Sequence, residues 1–528
     1  MDRDIAGVPV PALLTGNEPA CPPLDPDGIP SGFLLMPDGI HHEAQPGEAQ
    51  WICPPLRVTA RFRNSANVNW GRIVEVQDPL GNWKSLPVLD CELGSNASAV
   101  RSKLQNIGFE LPREKGRGEM VSKLIADWKP ARMLVTAEHL GWTDNATTGF
   151  VLGGGVSVGS TDVLPMGHAL SPLAQEIRVR GSLDAWRSTV ACKCSGNDLL
   201  LVAVSSAFAG PLLEFLDLDL GGGLHLRGVS SCGKSTILRV AASVWGSPEL
   251  VGSWRATANG LEAAAAASNS MQLVLDELAG IDAKELDKAI YMLANGVAKT
   301  RMAPYGTPVA PTRWKLSILS SGEISVADKL AEARRSQMAG QTVRLVDIEA
   351  DAQAFGAFDT LHGAANGAAF ADTLKVAAEQ AYGSAGPAFV QLLICNRRII
   401  RSVAGKFFVE FEKQATSQLA TGAHGQDKRV IKRFALIALA GLLATKFNLT
   451  GWNTTAARDA ALSVLNDWQD GQSSQNEGGK QTLEKTKVFL SAHAAQLIHL
   501  ADPTAPVPIN PIGWRDATQV YLPQSTWH

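Results

Sequence analysis

The chain has 528 residues, of which 45% are hydrophobic and 19% are charged, and its formal net charge is −3. The length favours about three domains, and the composition is that of a globular protein without a global charge bias toward nucleic acid or membrane. The seven cysteines lack the spacing of a four-ligand set, so no zinc site is predicted and reduced thiols in a cytoplasmic protein are expected.

The first 50 residues are rich in Pro, Gly and acidic residues, which predicts a mobile tail over 1–50. No basic start followed by a long apolar core is present, so a secretory signal is not expected. Residues 51–163 then show strand alternation over 56–62, a hairpin around 80–82 and helical patterns over 99–107 and 117–128. This region is predicted to be an α+β domain that acts as a collar or a recruitment module.

Three consecutive glycines at 153–155 also resemble a phosphate loop. No Lys-Ser pair and no helix follows them, so a hairpin turn is the favoured interpretation.

From 164 to 350 helices alternate with strands, which predicts an α/β fold built on a parallel sheet. Residues 228–235 read Gly-Val-Ser-Ser-Cys-Gly-Lys-Ser and match the P-loop pattern at every fixed position. A short strand precedes them and an apolar-periodic helix follows, as a loop that wraps phosphates with its backbone N–H groups requires. A nucleoside triphosphate with Mg²⁺ is therefore the predicted ligand. The predicted contacts are Gly228, Ser231, Cys232, Gly233, Lys234, Ser235 and Thr236, with Lys234 on the β- and γ-phosphates and Ser235 on Mg²⁺.

An apolar strand over 271–275 ends in Asp276 and Glu277. The carboxyl end of a buried parallel strand lies beside the P-loop, where Asp276 would hold Mg²⁺ or its water. Glu277 would then act as the general base that polarises the attacking water. The alternative is an ordinary strand end that enters solvent.

A further strand over 314–321 ends in Ser320 and Ser321. Either hydroxyl could sense the γ-phosphate from a strand between the two motif strands, and Ser321 is favoured. The alternative role is a cap on the next turn.

The segment before that strand is locally basic. A helix over 282–295 stops at Asn295-Gly296, and a hairpin is predicted over 297–308. Residues 296–322 contain no Asp or Glu but carry Lys299, Arg301, Arg313 and Lys315. With Tyr305, such a hairpin could track a phosphate backbone inside a ring pore. A solvated basic loop or a subunit contact is the alternative.

Three arginines follow the third strand. A neighbouring subunit of a ring ATPase inserts an arginine at the γ-phosphate, and Arg334, Arg335 or Arg344 could serve. Arg344 is favoured because it lies in a strand-like segment over 340–347. Surface salt bridging is the alternative for each.

The rest of the chain is predicted to be mainly helical over 351–470, with a polar linker over 471–480. Residues 481–528 read as a helix followed by a hairpin, which would fit a partial winged helix. The apolar stretch 434–443 is far shorter than the about 20 residues that a membrane span needs, so no membrane contact is expected.

A series of short motifs resembles one known family. The motifs are Ala207-Phe208-Ala209-Gly210-Pro211-Leu212-Leu213, Trp254-Arg255-Ala256-Thr257, Asn259-Gly260-Leu261-Glu262, Leu275-Asp276-Glu277-Leu278, Tyr291-Met292-Leu293-Ala294-Asn295-Gly296, Lys299-Thr300-Arg301, Ser320-Ser321-Gly322-Glu323, Arg433-Phe434-Ala435-Leu436-Ile437 and Leu449-Thr450-Gly451-Trp452. Through them, residues 51–468 resemble the domain-of-unknown-function 927 family of bacteria, phages and mobile elements.

The resemblance implies an AAA+ or superfamily 3-like replicative helicase, in which a homohexameric ring moves along single-stranded or forked DNA by hydrolysing ATP. It also implies a primase or polymerase as partner. The chain differs from superfamily 3 in having Ser rather than Asn at the expected sensor position. Two other functions fit the P-loop: a nucleotide-gated loader or scaffold that recruits a polymerase without unwinding, and a signalling ATPase of phage defence.

Overall fold

A computed structural model describes residues 27–471 with short gaps, together with parts of 489–523. The gaps before 471 are 44, 46, 65, 96, 138, 144–146, 154–155, 160–161, 168–170, 303–307, 310, 333–342 and 418–424. The chain divides into two compact units, Met1–Val464 and Leu465–His528. The regions predicted as separate domains over 51–163 and 164–350, and all but the last residues of the helical region predicted over 351–470, therefore belong to one unit.

The N-terminal region is rich in strands, as predicted. Its strands are β1 (Phe33–Met36), β2 (Gly39–Glu43), β3 (Ala49–Cys53), β4 (Leu56–Arg63), β5 (Gly71–Gln77), β6 (Trp83–Leu89), β7 (Met133–Ala137), β8 (Gly141–Trp142), β9 (Phe150–Val151), β10 (Ser157–Val158) and β11 (Val163–Pro165). Its helices are α1 (Asp90–Ser95), α2 (Ala97–Asn106) and α3 (Arg117–Asp127). The sheets have the orders β1-β2-β3, β11-β7-β4-β5-β6 and β10-β9-β8. Apolar side chains of α2 and α3 share a buried core with β4 and β5.

Residues 27–50 do not form the predicted mobile tail. Strands β1 and β2 lie in this stretch, and Phe33 and Ile40 are buried in the same core as Trp128. The Gly and Pro residues that suggested a tail mark turns here: Pro30 accepts the N–H of Phe33, and Gly39 has φ +140° between the two strands. The rest of the predicted tail, 1–26, lies outside the described residues.

A five-stranded parallel sheet forms the centre of the first unit and confirms the predicted α/β fold. The strands of the central region are β12 (Gly222–Arg227), β13 (Val251–Ser253), β14 (Gln272–Asp276), β15 (Arg301–Met302), β16 (Pro308–Val309), β17 (Ser317–Gly322) and β18 (Leu345–Glu349). The sheet order is β13-β14-β17-β12-β18, and each pair is parallel. Because their carboxyl ends share one edge, β17 places its last residues between the P-loop strand and the Asp276 strand.

Helices cover both faces of this sheet. They are α4 (Pro172–Gln175), α5 (Leu183–Thr189), α6 (Asp198–Phe215), α7 (Lys234–Ala242), α8 (Ala258–Ala267), α9 (Ala283–Asn295) and α10 (Val326–Ala331). Helices α6 and α7 pack against β14 and β17. Leu261 of α8 and Leu286 of α9 share an apolar core with Leu273 and Ile318. Helix α6 is long and apolar enough to cross a membrane by length and composition, but 89% of it is buried inside the unit.

The region after the sheet is helical, as predicted. Its helices are α11 (Gly367–Gln380), α12 (Ala385–Cys395), α13 (Arg397–Ser417) and α14 (Gly425–Lys446), and residues 456–471 are also helical. The buried Arg433 of α14 donates to the carbonyls of Gly221 (2.7 Å) and Val343 (2.5 Å), which precede β12 and β18. This arginine ties α14 to the amino edge of the sheet.

The second unit, Leu465–His528, contains β19 (Leu497–His499), β20 (Gly513–Arg515) and β21 (Val520–Tyr521). Strand β20 pairs parallel with β19 and antiparallel with β21, and the latter pair is the predicted hairpin. Residues 472–488 lie outside the described residues, so most of the predicted linker and the start of the predicted helix do too. The partial winged helix stays a prediction.

Candidate nucleotide-binding and hydrolysis site

The P-loop connects β12 to α7 through two residues with left-handed backbone. Ser231 has φ +63° and Gly233 has φ +115°. A Cβ atom on Gly233 would lie 2.8 Å from the ring of Phe358, so this position accommodates only glycine without a shift. Helix α7 begins directly after, at Lys234, and the start of a helix favours bound anions.

Lys234 is held inside the loop. Its side chain donates from Nζ to the carbonyls of Gly228 (2.9 Å) and Val229 (2.7 Å), and the residue is 8% exposed. An ammonium group has three donors. The remaining neighbour, Cys232 Sγ at 3.7 Å, is a weak acceptor that a phosphate oxygen would replace.

Three predicted residues converge on the carboxylate of Asp276. Ser235 Oγ donates to Oδ2 at 2.8 Å, Ser321 Oγ donates to Oδ1, and the backbone N–H of Glu277 donates to Oδ1 at 2.9 Å. Hydroxyl and carboxylate oxygens are the hard ligands that Mg²⁺ prefers. Among the described residues no group of three or more His, Cys, Asp or Glu could hold a metal ion.

Glu277 stands exposed at the carboxyl edge of the sheet, in a left-handed conformation (φ 60°, ψ 60°). A non-glycine residue in this region costs about 1 kcal/mol or more and is often found at functional sites. This backbone turns the chain away from β14, and the exposed Glu277 side chain is accessible to water.

The two candidate sensor serines face opposite ways, as successive residues of a strand must. Ser321 contacts Asp276, whereas Ser320 accepts from Trp254 Nε1 at 2.7 Å and lies 2.9 Å from Nδ1 of the buried His225. The other ring nitrogen of His225 lies 3.1 Å from the Ile324 carbonyl, which can only accept. His225 therefore carries its proton on Nε2, and Ser320 donates to Nδ1.

This network predicts a pH dependence of stability. Burial, together with the positive charges of Lys234 and Arg227, lowers the pKa of His225 from 6.5 to about 4. The neutral ring thus contributes stability that is present above pH 6.5 and is lost as the pH falls toward 4. We expect a loss of about 2 kcal/mol between pH 7 and pH 5 from this group.

The measurement is the urea midpoint of unfolding at both pH values for the wild type and for His225→Gln, which can still accept from Ser320. Asp347, paired in register with His225 on β18, has its pKa raised to about 6 by burial and acts in the opposite direction. Because both proteins contain Asp347, its contribution cancels in the comparison. Equal pH dependence in the two proteins would contradict the assignment.

Residues 351–357 form hydrogen bonds with the P-loop, and the sequence did not identify this segment. The carboxylate of Asp351, two residues after β18, accepts the Val229 N–H at 2.7 Å, and the Ala357 N–H donates to the Cys232 carbonyl at 2.8 Å. An acidic residue directly after a strand of the sheet was the available signal. Trp254 was also missed as a site residue, although its motif contributed to the family resemblance.

The basic segment forms the predicted hairpin, in which β15 pairs antiparallel with β16. Lys299 and Arg313 are exposed at its base, whereas Lys315 pairs with Asp217 at 3.3 Å. Tyr305 lies outside the described residues. Among the side chains of this segment that the structure describes, Lys299 and Arg313 are the exposed cations.

Of the three candidate arginines, only Arg344 lies in the described part of the structure, and it is at the edge of the sheet opposite the P-loop. Arg334 and Arg335 lie outside the described residues. Arg344 precedes β18 at the amino edge of the sheet, where its guanidinium lies 4.8 Å from the ring of Tyr291. A role in a neighbouring subunit stays a prediction.

Comparison with known proteins gives a family and a fold. The sequence profile described as "Domain of unknown function (DUF927)" matches residues 35–311. A solved structure described as "SCCmec type IV Cch - active helicase" is similar with a TM-score of 0.68 and 19% sequence identity, covering 94% of this chain and 89% of that one. No curated protein matches the chain.

Proposed function

Because this chain belongs to the DUF927 family and shares its fold with an active helicase, we propose that it is an ATP-driven DNA helicase or translocase. The observation that carries the proposal is the convergence of Ser235, Ser321 and Glu277 on Asp276, beside a P-loop lysine. This arrangement supports hydrolysis rather than nucleotide storage, because it combines a phosphate cradle with a metal-binding carboxylate and an exposed base.

In the proposed reaction Lys234 holds the β- and γ-phosphate oxygens, and Ser235 and Asp276 hold Mg²⁺. The ion would supply the charge that neutralises the phosphate oxygens. Glu277 accepts a proton from the attacking water, and Ser321 senses the γ-phosphate through its contact with Asp276. The chain's residues thus position the phosphates, neutralise their charge and deprotonate the attacking water. These three tasks are most of what phosphoryl transfer requires.

We assign the protein to the AAA+ or superfamily 3-like P-loop class. The sheet order supports this, since β17 lies between the P-loop strand and the Asp276 strand. Proteins of this class act as rings, so a homohexamer is proposed in which Arg334, Arg335 or Arg344 completes the site of the next subunit. The basic hairpin of Lys299 and Arg301, with Tyr305 and Arg313, would grip one DNA strand in the pore. The proposed setting is replication of a mobile element or phage, with a primase or polymerase as partner.

The test is whether single-stranded DNA stimulates ATP turnover. We expect stimulation in the wild type and its loss in the double variant Lys299→Ala/Arg301→Ala. Lys375→Ala/Arg458→Ala is the matched control, because it removes the same charge from residues that pair with Asp372 and Asp459 on the helical region.

If DNA does not change the rate of ATP turnover, and the double variant has the same rate as the wild type, the helicase or translocase function is excluded. A DNA-independent ATPase that binds a polymerase would favour the loader or scaffold instead. A DNA-independent ATPase without such binding would favour a signalling switch.

A further inference from the structure

A groove of about 340 Å³ lies between the segment after β13, the turn that follows Glu277 and helix α9. One wall is the segment after β13, residues 254–258; another is Gly280–Asp282, just after Glu277; and α9 supplies the third. Lys299, at the base of the basic hairpin, also lines it. The groove thus joins the loop after β13, the catalytic strand end and the hairpin.

The balance of charge in the groove is positive. Arg255, Lys288 and Lys299 line it together with Asp282 and Glu285. Glu285 is paired with Lys288 at 3.1 Å, and Asp282 caps α9 by accepting the Lys284 N–H at 2.8 Å. Arg255 and Lys299 are exposed, and no ion pair joins either of them to a carboxylate within the described part of the chain. Asp282 keeps its negative charge while it caps α9, so three cations against two carboxylates leave the groove with a net charge of +1. A groove with this charge, and with Arg255 and Lys299 exposed, fits a phosphodiester backbone.

Arg255 also contacts the turn that follows the catalytic base. A Cβ atom on Gly280 would lie 2.5 Å from Arg255 Cγ and 3.2 Å from Cδ, so the arginine stem lies across this glycine. Gly280 ends the short turn that Glu277 begins, and its N–H donates to the Glu277 carbonyl at 2.9 Å. Arg255 is therefore connected to Glu277 through one hydrogen-bonded turn.

The neighbour of Arg255 is anchored to the other catalytic residues. The Trp254 N–H donates to the Asp276 carbonyl at 3.0 Å, and its indole N–H donates to Ser320, which bonds His225 directly before the P-loop. The loop that carries Arg255 is thus hydrogen-bonded through Trp254 to the Asp276 backbone and to Ser320.

We propose that this groove is a nucleic-acid site in which Arg255 and Lys299 hold the phosphate backbone, and that Arg255 couples its occupancy to Glu277. The inference rests on the proposed function, since it needs a nucleic acid to fill the groove. It adds a second contact on a different loop from the basic hairpin. Gly280 is required in this scheme because any side chain there displaces Arg255.

The test measures binding of fluorescein-labelled oligothymidylate by anisotropy at several salt concentrations, together with the factor by which the same DNA stimulates ATP turnover. For Arg255→Gln we expect the salt slope to fall by about 0.7 and the affinity to fall about fivefold at 0.1 M salt, as for one lost phosphate contact on a single strand. We also expect loss of stimulation. Gly280→Ala should weaken DNA binding in the same direction, and Arg458→Gln is the matched control for the charge.

The outcomes separate this inference from the proposed function. If Lys299→Gln weakens binding while Arg255→Gln and Gly280→Ala match the wild type, the groove site is wrong and the motor stands. If Arg255→Gln lowers turnover with and without DNA but leaves DNA affinity intact, Arg255 only positions Glu277. A changed oligomeric mass with intact DNA affinity would make the groove a subunit contact and overturn the inference. If the wild type itself neither binds DNA nor responds to it, the proposed function fails.

Discussion

Replacing Lys234 with alanine should reduce ATP turnover at least about a thousandfold, equivalent to about 4 kcal/mol of transition-state stabilisation. The physical reason is that Lys234 is 8% exposed and its ammonium group is fixed between two loop carbonyls, so its charge acts on a phosphate in the loop with little screening. Removing it leaves the carbonyls of Gly228 and Val229 facing the phosphates, which adds repulsion to the lost attraction.

The measurement is steady-state ATP turnover together with nucleotide affinity. Lys329→Ala is a matched control, because Lys329 is equally buried at 8% exposed but pairs with Glu332 on α10, outside the loop. Its variant should hydrolyse ATP at a rate near that of the wild type. Melting curves of both variants distinguish a lost site from a lost fold. Hydrolysis that survives in Lys234→Ala would remove the P-loop from the mechanism.

The strands and the P-loop helix were predictable from local patterns. Apolar strands, a glycine-rich loop and the Asp-Glu pair each leave a signal within a few residues, and the structure places β12, α7 and β14 where these signals indicated. The order of strands in the sheet then brings Ser235 and Asp276 together, although they are far apart in sequence.

The sequence favoured Ser321 over Ser320 as the sensor but could not establish which of the two contacts Asp276. Neighbouring residues of a strand point to opposite faces, and both faces of this sheet are covered by helices. Only the packing of α7 shows which face carries the site, and it is the face of Ser321. The Asp351 contact was missed for a related reason: it joins loops that are distant in sequence, and no periodicity signals it.

The N-terminal residues illustrate a different limit. A high content of Pro and Gly predicted a tail, but composition does not distinguish disorder from closely spaced turns. Phe33 and Ile40 lie on β1 and β2, and both are buried beside Trp128. Their burial holds the two strands in place. The burial energy that stabilises these strands comes from a core formed largely by residues 52–128. The sequence of the first 50 residues alone does not show that core.

Replacing Glu277 with glutamine should separate ATP binding from hydrolysis. We expect turnover to fall by about 10²–10⁴-fold, since the amide keeps the shape of the side chain but cannot accept a proton from water. Nucleotide affinity should be retained, because the backbone N–H of Glu277 still donates to Asp276 and the left-handed turn is unchanged. The variant should therefore accumulate ATP-bound protein, which filter binding and single-turnover hydrolysis can measure.

Glu323→Gln provides the matched control for this substitution. Glu323 is an exposed glutamate just after β17, at the same edge of the sheet, and it undergoes the same loss of one negative charge. If the proton acceptor is Glu277, the control variant hydrolyses ATP at nearly the wild-type rate. If instead Glu323→Gln is the slow variant and Glu277→Gln is active, the base lies on β17. The strained backbone of Glu277 would then require another explanation. A comparable loss of turnover in both variants would indicate that hydrolysis depends on the total negative charge at the carboxyl edge of the sheet rather than on one proton acceptor.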